Sequence, residues 1–288
     1  MRVGIVILPE LRWAEARARW RRAEEYGFAH AWTYDHLGWR DLVDGPWFDS
    51  VVTLTAAASA TSSIRLGTLV ASPNFRHPVH FAREVVALDD ICGGRLTLGL
   101  GAGAAAPSFD ALVLGGADLA PRERVDRFAE FLELLDLLLR EQRVTWRGSY
   151  YEAVDARTTP GCVQSPRVPF VVAANARRSM GLAERFGEGW ITMGGRADDV
   201  ESWWRTVADR AARFDGPGDR YLMLDSAPRF SLSTRSFFEE QVGRASELGF
   251  TDVITHWPRP SGWYEGDEAV LEEVAADVLP RLGTTASP

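Results

Sequence analysis

Short apolar runs alternate with helical stretches along almost the whole of this 288-residue chain, and that alternation limits its fold more than any other feature. The runs are Val3 to Leu8, His30 to Tyr34, Ile64 to Val70, Leu96 to Leu100, Phe170 to Ala174, Trp190 to Met193, Tyr221 to Asp225 and Asp252 to His256. Each is short and mostly apolar, as strands buried on both faces must be. Between them, Trp13 to Tyr26, Ser50 to Ala60, Val79 to Ile91, Arg122 to Arg140, Ser179 to Phe186, Val200 to Phe214 and Phe237 to Leu248 carry apolar residues at helical spacing, and Ala269 to Leu282 closes the chain. Strict alternation points to a parallel sheet, and a count of eight favours a closed α/β (β/α)8 TIM barrel over an open doubly wound sheet.

Three recurring corners support one domain over residues 1–288: Ala23-Glu24-Glu25-Tyr26-Gly27-Phe28, Ala183-Glu184-Arg185-Phe186-Gly187 and Ala245-Ser246-Glu247-Leu248-Gly249-Phe250. Each reads as a helix end, a glycine cap and entry to the next strand. Two insertions interrupt the rhythm. Ala102 to Pro121, after the fourth strand, is rich in Ala and Gly without clear periodicity, where a barrel places an active-site loop. Before the fifth strand, about 143–169, Val144 to Tyr151 reads as a hairpin about Gly148, followed by a Pro-punctuated tether from Thr159 to Pro169.

Composition removes several functions. All 32 basic residues are Arg, which excludes Schiff-base chemistry and the phosphate lysine of P-loop and kinase sites. A net charge of −8 argues against nucleic acid or anionic membrane as a partner, and no run is long enough to span a bilayer. Cys92 and Cys162 form no CxxC, so no cysteine metal site is readable, and the expected location is the cytoplasm. His77 and His80 lack the neighbouring carboxylates a metal site needs, so no metal is expected.

In a barrel, residues just beyond the carboxyl ends of the strands build the site. His36, directly after Asp35, is the candidate for proton transfer, because histidine titrates nearest neutrality. The Gly99-Leu100-Gly101-Ala102-Gly103 run lacks the helix that a dinucleotide fingerprint requires, and instead lets a flat ring or phosphate approach the backbone. Asn175-Ala176-Arg177-Arg178, following Ala174, opens a helix where free N–H groups and two guanidinium groups can converge on an anion. Trp13, Trp39, Trp47, His256 and Trp257 fall near the same face as candidate walls of a substrate pocket.

These segments together resemble the luciferase-like monooxygenase superfamily of flavin and deazaflavin enzymes. The resemblance rests on Ala23 to Phe28 leading to Asp35-His36, on Ala57 to Thr61 leading to Ile64 to Val70, and on Arg76-His77-Pro78. It continues through Leu88 to Gly101 and Gly187-Glu188-Gly189-Trp190, where Glu188 replaces the usual Asp. It implies a ring over the ends of the third and fourth strands, against Leu69, Val70, Ala102 and Gly103 and beside Asp35. It also implies phosphate near the start of the helix after the fifth strand, and a non-prolyl cis peptide at Leu69-Val70.

The chain looks closest to the branch using coenzyme F420. Sugar-phosphate dehydrogenases of that branch carry a Glu where this chain has Ala104, and grip phosphate with lysines this chain lacks, which argues against glucose-phosphate oxidation. The expected activity is hydride transfer from the reduced deazaflavin to a C=C or C=N bond of a small metabolite. The alternatives are an FMN-dependent monooxygenase and a barrel that binds flavin without turnover. A homodimer is expected, with Cys92 and the helix Val79 to Ile91 offering the pairing surface.

Overall fold

The computed structural model describes residues 1–103, 108–116 and 119–282. Eight parallel strands close into a barrel: β1 (Arg2–Val6), β2 (His30–Thr33), β3 (Arg65–Ala71), β4 (Leu96–Leu100), β7 (Phe170–Ala173), β8 (Gly189–Thr192), β9 (Asp219–Met223) and β10 (Asp252–His256). Between β4 and β7 stands a separate antiparallel hairpin, β5 (Arg143–Arg147) and β6 (Glu152–Arg157). Its second strand begins after Tyr151 and not before it, since Glu130 on the neighbouring helix accepts the backbone N–H groups of Ser149, Tyr150 and Tyr151 and holds the turn there.

Outside the barrel run α1 (Trp13–Glu25), α2 (Ser50–Ala60), α3 (Pro78–Ile91), α5 (Pro121–Arg140), α6 (Arg177–Phe186), α7 (Val200–Arg213), α8 (Arg235–Glu247) and α9 (Glu268–Asp277). Local chemistry sets their starts. Asp49 accepts the N–H of Val52 at 3.0 Å to cap α2, and α3 opens on Pro78, whose missing N–H costs nothing at a helix start. The closing helix breaks at Val278 and resumes as α10 (Leu279–Leu282), around a proline that cannot donate to the helical ladder. A further short helix, α4 (Phe109–Val113), lies inside the Ala/Gly-rich insertion, capped by Ser108. Its few residues carry too little periodicity to be read from sequence.

Two apolar layers separate wall from interior. The larger lies between strands and helices; the smaller fills the barrel with Val6, Leu8, Trp32, Tyr34, Leu69, Val171, Ile191, Tyr221, Met223 and Ile254. Glycines make room for the large members: a Cβ on Gly67 would stand 2.3 Å from the Trp32 ring. Helix α3, the proposed pairing surface, is largely spent inside the chain, with Phe81, Val85 and Leu88 buried, Phe81 against Phe131 of α5, and Cys92 buried beside them. Among the described residues no helix is long and apolar enough to cross a membrane.

Candidate active site

The mouth of the barrel, at the carboxyl ends of its strands, begins with a distortion in β3. Its register with β4 shifts between Thr68 and Ala71, and the Leu69–Val70 peptide is cis. Glycines on β4 accommodate the bulge, because a Cβ on Gly99 would lie 2.1 Å from the Thr68 carbonyl oxygen and one on Gly101 2.6 Å from Val70 Cγ2. Val70 and Ala173 thus cover the interior layer from above and leave a small apolar platform. Beyond β4, Gly103 has φ +81° and passes so close to the Asn74 amide that a Cβ would stand 2.5 Å from it. Ala102 packs partly on the outer layer, and Ala104 lies outside the described residues.

His36 follows β2 at this mouth. One ring nitrogen, Nδ1, lies 2.7 Å from Asp110 Oδ2, and the other oxygen of Asp110 accepts the N–H of Leu37 at 2.7 Å. Asp110 is buried on α4, whereas the His36 side chain keeps 18% exposure. Among the described residues its Nε2 has no hydrogen-bond partner. A buried carboxylate that fixes one imidazole nitrogen while the other stays open is an arrangement suited to giving or taking a proton. Trp47 donates its Nε1–H to the His36 carbonyl at 2.8 Å, and Trp39 packs edge-on to Tyr34.

Asp35, one residue before His36, is held in a buried ion cluster. Its carboxylate is buried and taken up by Arg76, at 2.7 and 3.2 Å, and by the Ser50 hydroxyl at 2.5 Å. Arg76 also reaches Asp49 and Glu84. The cluster is a strut that ties the end of β2 to α2 and α3.

On the opposite rim, Ala174 and Asn175 lead from β7 into α6. The N-cap residue, Ala176, offers no capping side chain, and Arg177 is exposed with no ion-pair partner among the described residues. Arg178, by contrast, is committed to Asp126 and the Arg122 carbonyl. Of the two arginines expected to meet an anion, only Arg177 is left uncommitted at the helix start, while Arg178 anchors α6 to α5. Arg210 of α7 joins this rim from β8's side, donating to Asn175 Oδ1 at 2.6 Å, which also accepts the Thr192 hydroxyl at 2.7 Å.

The remaining aromatic candidates divide. His256, at the end of β10, is fully buried and bonded to Asp225 and Tyr34. Trp257 turns the other way: its ring stacks on Tyr26 at 6.2 Å, lies under Arg22, and donates Nε1–H to Glu268 at 2.9 Å, all in the outer layer. It is a wall residue and not part of the pocket, because consecutive residues leaving a strand point to opposite faces. Trp13 sits exposed at the start of α1 with no ring partner among the described residues. Reading by sequence missed Asp110, Tyr34, Tyr264 and Arg210. Only Tyr34 carried a usable signal, its place beside Asp35-His36 at a strand end; the others come from loops or helices that no local pattern ties to the mouth.

With this geometry in view, the profile of the luciferase-like monooxygenase family matches residues 1–262. An F420-dependent glucose-6-phosphate dehydrogenase of Beutenbergia cavernae is 29% identical over an alignment 315 positions long, gaps included, that covers 90% of each chain. A 4-hydroxyprotoasukamycin monooxygenase of Streptomyces nodosus subsp. asukaensis is 31% identical over 246 residues, 82% of this chain and 61% of its own. Among solved structures, an F420-dependent secondary alcohol dehydrogenase in complex with an F420-acetone adduct superposes with a TM-score of 0.76 over 98% of both chains, at 15% identity. That last likeness concerns the fold.

Proposed function

The chain belongs to the luciferase-like monooxygenase family, as an oxidoreductase of its F420-dependent branch, and from this premise we propose that it carries hydride from reduced F420 to a C=C or C=N bond of a small metabolite. The observation that carries this reading is the His36–Asp110 pair standing open at a mouth floored by an apolar platform. Val70 and Ala173 would hold a deazaflavin ring here, and the chemistry it would supply is a two-electron hydride transfer.

The chain's own residues fit such a group. Val70 and Ala173 offer a flat apolar contact, and the close packing of Gly99 and Gly101 against β3 keeps Val70 raised into it. At the rim, the uncapped start of α6 and Arg177 suit a phosphate, which the helix dipole and the guanidinium both favour. His36 holds the proton that a reduced C=C or C=N bond must receive, and Asp110 fixes its ring and balances the charge of its protonated form. Trp47 holds the His36 backbone in place through its carbonyl.

A second reading, an FMN-dependent monooxygenase, draws on the likeness to the Streptomyces monooxygenase. One experiment separates them: reduced F420 and reduced FMN are each offered to the enzyme with a panel of activated alkenes, imines and ketones, without oxygen. The proposal expects oxidation of reduced F420 by at least one acceptor and none of reduced FMN. Turnover only with reduced FMN, and only when oxygen is admitted, would overturn it.

A further inference from the structure

Beside the open pair lies a second chain of polar groups that the reading above does not use. It starts at Asp225, just past β9. Asp225 Oδ2 accepts the backbone N–H of His256 at 2.7 Å and lies 2.8 Å from His256 Nδ1, while Oδ1 accepts the N–H of Ser231 at 2.9 Å. His256 Nε2 lies 2.9 Å from the Tyr34 hydroxyl, and that hydroxyl lies 2.8 Å from the hydroxyl of Tyr264. Asp225, His256 and Tyr34 are buried; Tyr264 is half-buried, stacks on His256 at 3.6 Å and on Trp39 at 6.0 Å, and packs on the interior layer, as Val70 and Trp47 do. The chain thus runs from inside the wall out to the mouth.

Its protons can be placed by elimination. Asp225 already accepts two backbone N–H groups and the Thr255 hydroxyl, which makes it the acceptor of this contact, so His256 Nδ1 carries a proton and donates it to Asp225. Burial outweighs the pull of Asp225 and pushes the His256 pKa below its ordinary value, so its Nε2 is a bare acceptor near neutral pH. A hydroxyl has one proton, and Tyr34 must spend its own on His256 Nε2. Tyr264 then spends its proton on Tyr34. What Tyr264 presents to the mouth is an oxygen with lone pairs and no hydrogen to offer.

We propose that the Tyr264 hydroxyl oxygen is a recognition point that selects ligands bearing a hydroxyl or N–H donor, and that Tyr34, which makes no contact with the ligand, sets that polarity. This names a substrate class for the mouth assigned above and rests on that reading only for the mouth being the substrate's place. Discrimination is expected because a ligand that covers the Tyr264 oxygen without offering a donor takes away its bond to water and replaces it with nothing.

The test uses the full chain without cofactor and three probes of one shape: cyclohexanol, its methyl ether and cyclohexanone, with binding followed by ligand-observed NMR. The wild-type protein is expected to bind the alcohol about tenfold tighter than the ether or the ketone. Tyr34→Phe frees the Tyr264 proton without removing a ring; the preference for the alcohol over the ketone then falls to within about threefold, since Tyr264 can donate as well as accept. Equal binding of all three probes by the wild type, or an unchanged preference in Tyr34→Phe, would overturn the proposal. Nitrogen chemical shifts of His256 in the wild type give a second check that needs no variant: Nδ1 protonated and Nε2 bare is expected, and the reverse tautomer would overturn it. A failure of F420 to bind would remove the F420 reading while leaving the probe preferences standing, so the two failures are distinguishable.

Discussion

The two ends of β2 each lead to a histidine–aspartate pair, and the pairs are put to opposite use. At the closed bottom, His30 Nε2 lies 2.9 Å from Asp252 Oδ1, and its Nδ1 accepts the indole N–H of Trp32 at 2.5 Å. Arg2 and the Thr251 hydroxyl take the remaining capacity of Asp252. The ring occupies the space that a side chain at Gly4 would fill, with a Cβ there only 1.9 Å from Nδ1. Every polar atom is matched, so the pair holds the barrel shut. At the mouth, His36 meets Asp110 through its other ring nitrogen, Nδ1, and its Nε2 stays open. Chemistry is available where the set of partners is incomplete, and the identity of the two residues does not decide it.

The sharpest way to break this contrast is to truncate each pair and read both stability and turnover. Asp252→Ala leaves His30 and Arg2 without their buried partner and is expected to lower folding stability by about 3–5 kcal/mol, the range for breaking a buried pair. Chemical denaturation checks it, and a loss of under about 1 kcal/mol, the level of a surface pair, would say the bottom is no better sealed than the exterior. His36→Ala should do the reverse. Turnover with reduced F420 is expected to fall by about 10²-fold or more while F420 affinity stays within a few-fold; lost affinity with intact turnover would make His36 a binding residue. Asp110→Asn should fall between wild type and His36→Ala, since the ring remains but its anchor and countercharge weaken.

Smaller effects sharpen the picture of the rim and the wall. Arg177→Ala is expected to weaken F420 binding about fivefold and to flatten its dependence on salt. Arg178→Ala should change affinity less, because its guanidinium is committed to Asp126. For the sealed His256, burial lowers the pKa from the usual 6.5. A group with a depressed folded pKa contributes stability that is whole above its unfolded value and lost as pH falls through the folded one. Melting temperature should therefore decline below about pH 6.5, and His256→Gln should remove part of that decline; an acid-stable wild type would contradict the burial argument.

Alternation made the barrel legible, because eight short apolar runs separated by amphipathic helices have few other ways to bury both faces of every strand. The position of His36 was legible for the same reason: a strand end fixes which face a residue joins. Its partner was not, since Asp110 comes from a five-residue helix within an Ala/Gly-rich insertion, too short to show a period. Adjacent residues face ways that strand-end position alone does not tell. Asp35 beside His36 is a strut, and Trp257 beside His256 faces the outer layer, since a strand's alternation sends neighbours to opposite sides. Arg177 and Arg178 look alike in sequence, and only the proximity of Asp126 on α5 tells them apart.

The claim on which the rest depends is that this mouth takes a deazaflavin, and parallel fluorescence titrations of F420 and FMN into the same preparation test it most directly. The account predicts saturable quenching of F420 in the micromolar range or tighter, weakened by Arg177→Ala and untouched within a few-fold by His36→Ala, with FMN binding more weakly. Tighter binding of FMN than of F420 would contradict it.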